Sequence, residues 1–197
     1  SIEAALNSKV FDKVIVSTDS EDIAEVSKKF GAEIPFLRPS ELATDKADSM
    51  DTLIHALKFY SDKGENFDYI MKLQPTSPLR TAEDIKEAVD LIIKKNGDAV
   101  ISVSECKHHP LWTNTLNSEM RMNEFLKDEV KGKNRQELDR YYELNGLIFL
   151  SKTEKLIETR DWYGENSYAQ IIDGNRAIDI DNIIDFKLAE IILKEKL

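Results

Sequence analysis

The sequence predicts a three-layer α/β domain with a mostly parallel sheet and helices on both faces. Short apolar runs typical of buried strands alternate with segments whose apolar residues recur at helical spacing, and this alternation indicates a parallel sheet. The length of 197 residues, of which 41% are hydrophobic and 32% charged, suffices for one domain with a real core. The predicted strands are 13–17, 69–75, 98–104, 146–151 and 168–172.

The chain begins directly in a helical pattern, residues 1–8, whereas an α/β domain more often begins with a strand. We therefore expect a strand and a loop to precede this chain. After the apolar run KVIVS (13–17), Thr18 and Glu21 are spaced to form a capping box for the next helix.

Further along the chain, helical spacing recurs at 49–60, near 152–158 and at about 182–196. A fourth helix follows Thr81 and Asp84, which also have capping-box spacing. These segments supply the predicted helical layers.

Residues 105–145 interrupt this rhythm. They are polar with scattered aromatic residues, and they contain the basic stretch KGKNR (131–135). We interpret the segment as an insertion that serves as an oligomerisation arm.

The composition excludes several classes of protein. A net charge of −10 argues against a nucleic-acid surface, although local Lys and Arg can still bind a nucleotide. Cys106 is the single cysteine, so no internal disulfide can form, which favours a reducing compartment such as the cytoplasm. No apolar run approaches the roughly 18–20 residues that a membrane span needs.

Three polar stretches follow predicted strands or lie at their ends, where ligands bind in open α/β sheets. They are STDS (17–20), LQPTSPLR (73–80) and IDID (178–181). The first two can also be explained without a ligand, as capped connections between a strand and a helix. Arg38 adds a possible anion-binding group, although exposed arginines are common.

Asp179 and Asp181 alternate with isoleucines, so in a strand both carboxylates would lie on one face. Two carboxylates beside a cleft form a hard-oxygen site of the type that Mg²⁺ uses together with phosphate oxygens. The alternatives are a solvated strand end, or an Asp181 that caps the final helix.

Taken in order, several segments resemble the CMP-sialic acid synthetase (acylneuraminate cytidylyltransferase) family. They are VIVSTDSEDIAEVSKKFGAE, LRPSELATDKADSM, LQPTSPLRTAEDI, ELNGLIF and RAIDIDNIID. The resemblance spans nearly the whole chain, and LQPTSPLR followed by IDID is its most specific part. It implies a Rossmann-like nucleotidyltransferase domain over residues 1–197, a homodimer whose arm is 105–145, and the transfer of CMP from CTP to a nonulosonic acid.

The resemblance also implies roles for individual residues. Arg38 of LRPSELA and Ser49 of KADSM would bind the nucleotide. Asp179 and Asp181 would be the catalytic residues and would carry Mg²⁺. The sugar-binding residues would be Gln74, Arg135, Asn145, Phe149, Trp162 and Tyr163, with Arg135 and Asn145 acting partly across the dimer.

The sequence departs from the family pattern at two places. The family's N-terminal signature, a strand followed by an Ala-Arg-x-x-Ser-Lys-type loop, is not in residues 1–197, so this chain by itself is expected to bind CTP poorly. Trp112 of HHPLW stands where the sialic acid enzymes often have a Lys. That difference favours legionaminic or pseudaminic acid over N-acetylneuraminate.

Three alternatives remain open at this point. One is a cytidylyltransferase for the eight-carbon acid Kdo, and another is a non-catalytic nucleotide-sugar binding module. The third is a haloacid dehalogenase-type hydrolase, which needs its Asp-x-Asp after an early strand, whereas the pair here is late and is followed by Asn182.

Overall fold

The computed structural model describes residues 1–44 and 46–195, so the predicted end of the last helix at residue 196 lies outside the described residues. Within these ranges the elements are α1 (Ile2–Ser8), α2 (Glu21–Lys29), α3 (Ser49–Ser61), β1 (Tyr69–Lys72), α4 (Ala82–Lys95), β2 (Ala99–Glu105), β3 (Tyr142–Lys152), α5 (Thr153–Thr159), β4 (Ser167–Ile171) and α6 (Ile183–Glu195). No helix in the described part combines the length and apolarity that crossing a membrane requires.

The sheet is mixed, and the expectation of a mostly parallel sheet is wrong. Its strand order is β1-β3-β2-β4, in which only β2 and β4 are parallel. The strand β3 runs antiparallel to both β1 and β2. The reason is the connection after β2: the chain leaves at Glu105 and returns at its ladder partner Tyr142, without the crossover helix that a parallel strand would need.

Residues 13–17 do not form the predicted strand. They make a single parallel bridge, between Ile15 and Glu33. Two backbone hydrogen bonds hold it, from Val16 N to Glu33 O (3.0 Å) and from Glu33 N to Val14 O (2.8 Å). A single bridge is too short to count as a strand, so no continuous ladder forms at this segment in the described structure.

The core lies on both faces of the sheet. On one face, α1 and α4 pack against β2 and β3 through Ala5, Ile85, Ala88, Ile92 and their neighbours, which are almost completely buried. On the other face, α3, α5 and the segment after α5 contribute Met50, Leu156 and Trp162. This gives a three-layer arrangement with the sheet in the middle.

The helix caps follow the sequence in one case and differ in another. Thr81 and Asp84 form the predicted capping box of α4, since each side chain accepts a hydrogen bond from the other's backbone N–H (3.2 and 2.8 Å). The cap of α2 is Ser20, whose Oγ accepts from Ile23 N, whereas Thr18 accepts from Ser20 N. Thr18 thus shapes the turn before the helix and does not cap it.

Asp84 also forms a bidentate ion pair with Arg176, at 2.8 and 2.9 Å. The Asp84 side chain is 4% exposed, whereas that of Arg176 is 36% exposed. Burial acts to raise the pKa of Asp84, but hydrogen bonds from Arg176 and Thr81 outweigh it and hold the pKa below its ordinary value. The pair attaches the connector after β4 to the start of α4.

Arg80 is buried beside this pair. Its Nε donates to Leu147 O at 2.6 Å, and its Nη2 donates to Gln74 O at 2.9 Å. Burial lowers its pKa to about 10, an effect that Asp84 partly opposes. The guanidinium therefore fixes the 73–80 loop against β3.

The insertion, residues 106–141, is described throughout and contains neither an α-helix nor a strand of the sheet. Its regular structure is limited to short 3₁₀ turns at 110–112, 128–130 and 135–137. A groove of about 490 Å³ within it is lined by Trp112, Met122, Phe125, Leu126 and Lys131.

Arg176→Met is expected to lower the free energy of unfolding at pH 7 by roughly 2–4 kcal/mol, because it leaves the Asp84 carboxylate buried and unpaired. The folded-state pKa of Asp84 is lowered, so the pair stabilises above about pH 4, the ordinary carboxyl pKa, and loses this effect as pH falls through the folded-state pKa. The difference between wild type and variant should therefore shrink below about pH 4. Urea unfolding at several pH values measures it.

Arg121→Met is the matched control, since Arg121 pairs with Glu119 while both side chains are more than half exposed. Its expected effect is below about 1 kcal/mol. Equal losses for the two variants would contradict the assigned role of the buried pair.

Candidate functional site

The LQPTSPLR loop and the IDID segment meet at one edge of the fold. Ile180 N donates a hydrogen bond to Thr76 O at 2.8 Å, which joins the two segments directly. The loop follows β1, and the IDID segment follows the connector that Arg176 attaches to α4. The two motifs that carry the resemblance are thus neighbours in space.

Asp179 and Asp181 do not lie in a strand, contrary to the sequence-based expectation. Residues 177–180 have no regular secondary structure, and among the described residues Ile180 N donates to Thr76 O. The alternation is nevertheless preserved, since both aspartates are exposed while Ile178 and Ile180 are half-buried. The carboxylates therefore lie at the surface while the isoleucine side chains are partly covered, although no strand forms.

Both carboxylates are available for a ligand. Among the described residues, neither one accepts a hydrogen bond or forms an ion pair. The alternative that Asp181 caps α6 is wrong, because Asn182 Oδ1 accepts from Ile184 N (2.8 Å) and Asp185 N (3.3 Å). No cluster of three or more potential ligands occurs in the described ranges. Two exposed carboxylates still fit Mg²⁺, which commonly takes one or two carboxylates together with phosphate oxygens and water.

Arg38 lies beside the STDS stretch. Its backbone N donates to Thr18 O at 2.8 Å, and its Nη2 is 3.5 Å from Asp19 Oδ1. The Arg38 Nε is buried and has no hydrogen-bond partner among the described residues. The guanidinium thus has one long ion pair and several N–H donors without a partner among the described residues, which leaves it able to bind an anion.

Ser49 is the exposed first residue of α3. The preceding residue, Asp48, caps the helix by accepting from Met50 N at 2.9 Å. Ser49 therefore does not serve as the cap, and it lies where the helix presents its positive dipole end.

Gln74 lies over Gly146 of β3. A Cβ on Gly146 would be 2.7 Å from Gln74 Oε1 and 3.6 Å from Ser77 Oγ. Gly146 also has a φ of +73°, a region that residues with a side chain rarely adopt. The Ser77 hydroxyl is buried without a hydrogen-bond partner among the described residues. Glycine at 146 therefore leaves the space that the Gln74 carboxamide occupies.

Asn145 is buried and bonded within the sheet. Its Oδ1 accepts from Ser102 Oγ (2.5 Å) and Leu147 N (3.2 Å), and its Nδ2 donates to Ser104 Oγ (2.9 Å). These bonds connect β2 to β3 across the irregular register near Val103. In this structure the side chain has a structural role, and its predicted sugar contact stays a prediction.

Arg135 is exposed at the base of the insertion. Its guanidinium donates to Glu105 Oε1 (3.1 Å), Cys106 O (3.0 Å) and Lys107 O (3.3 Å). All of these partners belong to the end of β2 and the residues just after it. The structure thus places Arg135 where the insertion leaves the sheet. Among the described residues its side chain makes no hydrogen bond to the 73–80 loop or to the IDID segment.

The predicted aromatic residues divide into two groups. Phe149 and Trp162 are buried and pack together with ring centroids 5.5 Å apart, whereas Tyr163 is 56% exposed. A residue that the sequence analysis did not select lies on them: the Nζ of Lys72 is 4.2 Å from the Phe149 ring centroid and 5.9 Å from that of Trp162. The sequence feature that could have identified Lys72 is a lysine among the apolar residues of YIMKLQP.

Burial lowers the pKa of Lys72, and the charge of Asp48 opposes this change. Lys72, whose side chain is half-buried, is the last residue of β1, and Gln74 follows two residues later in the loop. A cation, a carboxamide and an aromatic wall therefore come together at the end of this strand, next to the loop that contacts IDID.

Comparisons with known proteins agree with these motifs. The family described as Cytidylyltransferase matches residues 1–193. A CMP-N,N'-diacetyllegionaminic acid synthase from Legionella pneumophila is 36% identical over 196 residues, which cover 96% of this chain and 81% of the relative. An N-acylneuraminate cytidylyltransferase from Escherichia coli O18:K1:H7 is 38% identical over 196 residues, which cover 99% of this chain but 45% of that relative.

A solved structure of a CMP:2-keto-3-deoxy-manno-octonic acid synthetase complexed with CTP has the same fold. Its TM-score is 0.68, and the match covers 100% of this chain and 86% of that chain at 12% sequence identity. The mixed α/β fold is thus shared with that synthetase. With the match over residues 1–193 and the two relatives above, the chain belongs to the CMP-sialic acid synthetase (acylneuraminate cytidylyltransferase) family.

Proposed function

We propose that this protein couples CTP to a nonulosonic acid of the sialic, legionaminic or pseudaminic type, and releases the CMP-sugar and pyrophosphate. The named activities of its relatives support this reaction class. The observation that carries the proposal is the hydrogen bond from Ile180 to Thr76, because it holds Asp179 and Asp181 next to the loop that presents Gln74. A nucleotide and a sugar acid can then be bound on adjacent segments.

The chemistry requires positioning more than covalent catalysis. The anomeric hydroxyl of the sugar attacks the α-phosphate of CTP, and pyrophosphate leaves. The Arg38 guanidinium has one long ion pair, to Asp19, and can bind the nucleotide, and the exposed Ser49 lies at the N-terminus of α3, where anions are favoured. These two residues form the proposed nucleotide side of the site.

Asp179 and Asp181 are the proposed catalytic carboxylates, and they would hold Mg²⁺. When bound there, Mg²⁺ would neutralise charge on the phosphate oxygens during transfer. One of the two carboxylates can also accept the proton that the anomeric hydroxyl loses. Their exposure and their lack of partners among the described residues support both roles.

The proposed sugar side comprises Gln74, Phe149, Trp162 and Tyr163. The Gln74 carboxamide has a defined place over Gly146, from which it can hydrogen-bond a sugar hydroxyl. Phe149 and Trp162 pack together as a buried apolar base, and the exposed Tyr163 follows Trp162 in the chain. Asn145 and Arg135 remain proposed sugar contacts, with Arg135 best placed to act across a dimer because it lies at the base of the insertion.

A homodimer is part of the proposal, with the 105–145 insertion as its arm. The insertion exposes large apolar side chains, with Leu116 at 54%, Met120 at 73% and Met122 at 59%. A second copy that covers them would remove this apolar surface from water. Analytical ultracentrifugation of the full-length protein tests this assembly.

The full-length protein is expected to release pyrophosphate from CTP with at least one nonulosonic acid. The panel contains N-acetylneuraminic, legionaminic, pseudaminic and Kdo acids. Activity with Kdo alone would support the eight-carbon alternative. CTP binding without release for any acid would favour the non-catalytic module and overturn the proposed reaction.

Asp179→Asn is expected to reduce kcat at least about 100-fold, because a site that stabilises developing phosphate charge contributes several kcal/mol. The measurement is pyrophosphate release, with circular dichroism to confirm an intact fold. Asp90→Asn, at an exposed position on α4, is the matched control and should leave kcat unchanged. Near-normal turnover by Asp179→Asn would contradict the role of the carboxylate pair.

Gly146→Ala is expected to raise the KM for the sugar acid about 10-fold, equivalent to one lost hydrogen bond, because the new Cβ displaces Gln74. Gly64→Ala controls for backbone strain, since Gly64 has a φ of +81° and open space around it. Combining Gly146→Ala with Gln74→Ala should raise KM no further than either single change. Additive effects would show that Gly146 does not act through Gln74.

A further inference from the structure

Lys72 is a half-buried cation without a counter-ion in the described structure. It lies on β1, opposite Phe149 in the strand ladder, and its Nζ is above the Phe149 ring at 4.2 Å. No carboxylate in residues 1–44 or 46–195 forms an ion pair with it. A partly desolvated ammonium is costly unless it is paired, so its position needs an explanation.

Asp48, the acidic residue whose charge acts on Lys72, has other partners. Asp48 acts on Lys72 through its charge, but its Oδ1 accepts from Met50 N and its Oδ2 lies 3.6 Å from Arg160 Nη2. Arg160 is held in turn by Asp51 at 2.6 Å. Asp48 is therefore engaged by a helix cap and a long contact with Arg160, and it acts on Lys72 through its charge without forming an ion pair with it in the described structure.

The aromatic rings stabilise the Lys72 ammonium, but they do not use its N–H donors. A lysine over an aromatic face gains modest electrostatic stabilisation, and its remaining N–H donors stay available. Here the rings are Phe149 and Trp162, which form the proposed base of the sugar site, and Gln74 follows two residues later in the loop after β1. The ammonium is thus positioned for an anionic group on the sugar side.

We propose that Lys72 binds the carboxylate of the sugar acid. This assignment rests on the proposed function, which supplies a substrate with one carboxylate. A phosphate of CTP is the less favoured anion, because Lys72 lies over the rings assigned to the sugar side, whereas the proposed Mg²⁺ ligands Asp179 and Asp181 are on a different segment. The N–H donors of Lys72 that do not face the rings would donate to the carboxylate and orient the sugar over Phe149.

The chain contains a matched control for this interaction. The Nζ of Lys63 lies 3.9 Å from the Phe59 ring centroid, so it makes the same type of contact. Lys63 is exposed and has no place in the proposed site. Its replacement reports the effect of losing a lysine on an aromatic ring without losing a substrate contact.

The experiment compares Lys72→Met, Lys72→Gln, Lys72→Arg and Lys63→Met in the full-length protein. Lys72→Met is expected to raise the KM for the sugar acid about 10- to 100-fold, as expected for one charge-assisted hydrogen bond, and to change the KM for CTP less than about twofold. Lys72→Gln carries the same expectation should the Met variant fail to fold. Lys72→Arg should retain part of the affinity, and Lys63→Met should match wild type.

A second measurement uses the same sugar with its carboxylate converted to a carboxamide. Wild type should discriminate strongly against this analogue, whereas Lys72→Met should discriminate much less. An unchanged KM for the acid, or a rise confined to the KM for CTP, would overturn the carboxylate assignment. Absence of pyrophosphate release by wild type with every acid would instead overturn the proposed function, and the Lys72 assignment with it.

Discussion

The fold of the site depends on two arginines, the buried Arg80 and the partly exposed Arg176, that bring four segments together around Asp84. Arg80 joins the 73–80 loop to β3 through Gln74 O and Leu147 O, and Arg176 joins the connector after β4 to the first turn of α4. Each guanidinium satisfies backbone or carboxylate oxygens that are shielded from water, so neither segment can move without leaving a buried polar group unpaired. The Ile180–Thr76 hydrogen bond is a consequence of this anchoring, since both of its partners lie within a few residues of an arginine.

The sequence was a good guide wherever local chemistry determines structure. Helical spacing and the Thr81–Asp84 cap located α3 and α4 closely, because a helix satisfies its backbone within its own segment. Strand direction could not be predicted in the same way. The run GLIFLS looks the same whether it pairs parallel or antiparallel, and β3 is antiparallel because of how the insertion returns the chain. Residues 13–17 failed as a strand for a related reason, since a strand needs partners that its own sequence does not specify.

The candidate site shows the same division. The sequence singled out LQPTSPLR and IDID as separate candidate stretches, and the structure brings them into contact. Periodicity separated the aspartates from the isoleucines even though no strand forms. The sequence could not reveal that the Asn145 amide is used within the sheet, because its partners, Ser102 and Ser104, are distant in the chain. Lys72 was missed because a lysine in a short strand is usually an exposed edge residue. Only the structure shows that it lies on the rings of Phe149 and Trp162.

The insertion leaves the sheet at Glu105 and returns at Tyr142, and these two residues are direct partners in the β2–β3 ladder. Its two ends are therefore held side by side, whatever lies between them. Lengthening or shortening such a surface excursion changes the entropy of closing the loop only slowly with its length. The length and sequence of this segment can therefore change while β1, β3 and the residues at their ends stay in register.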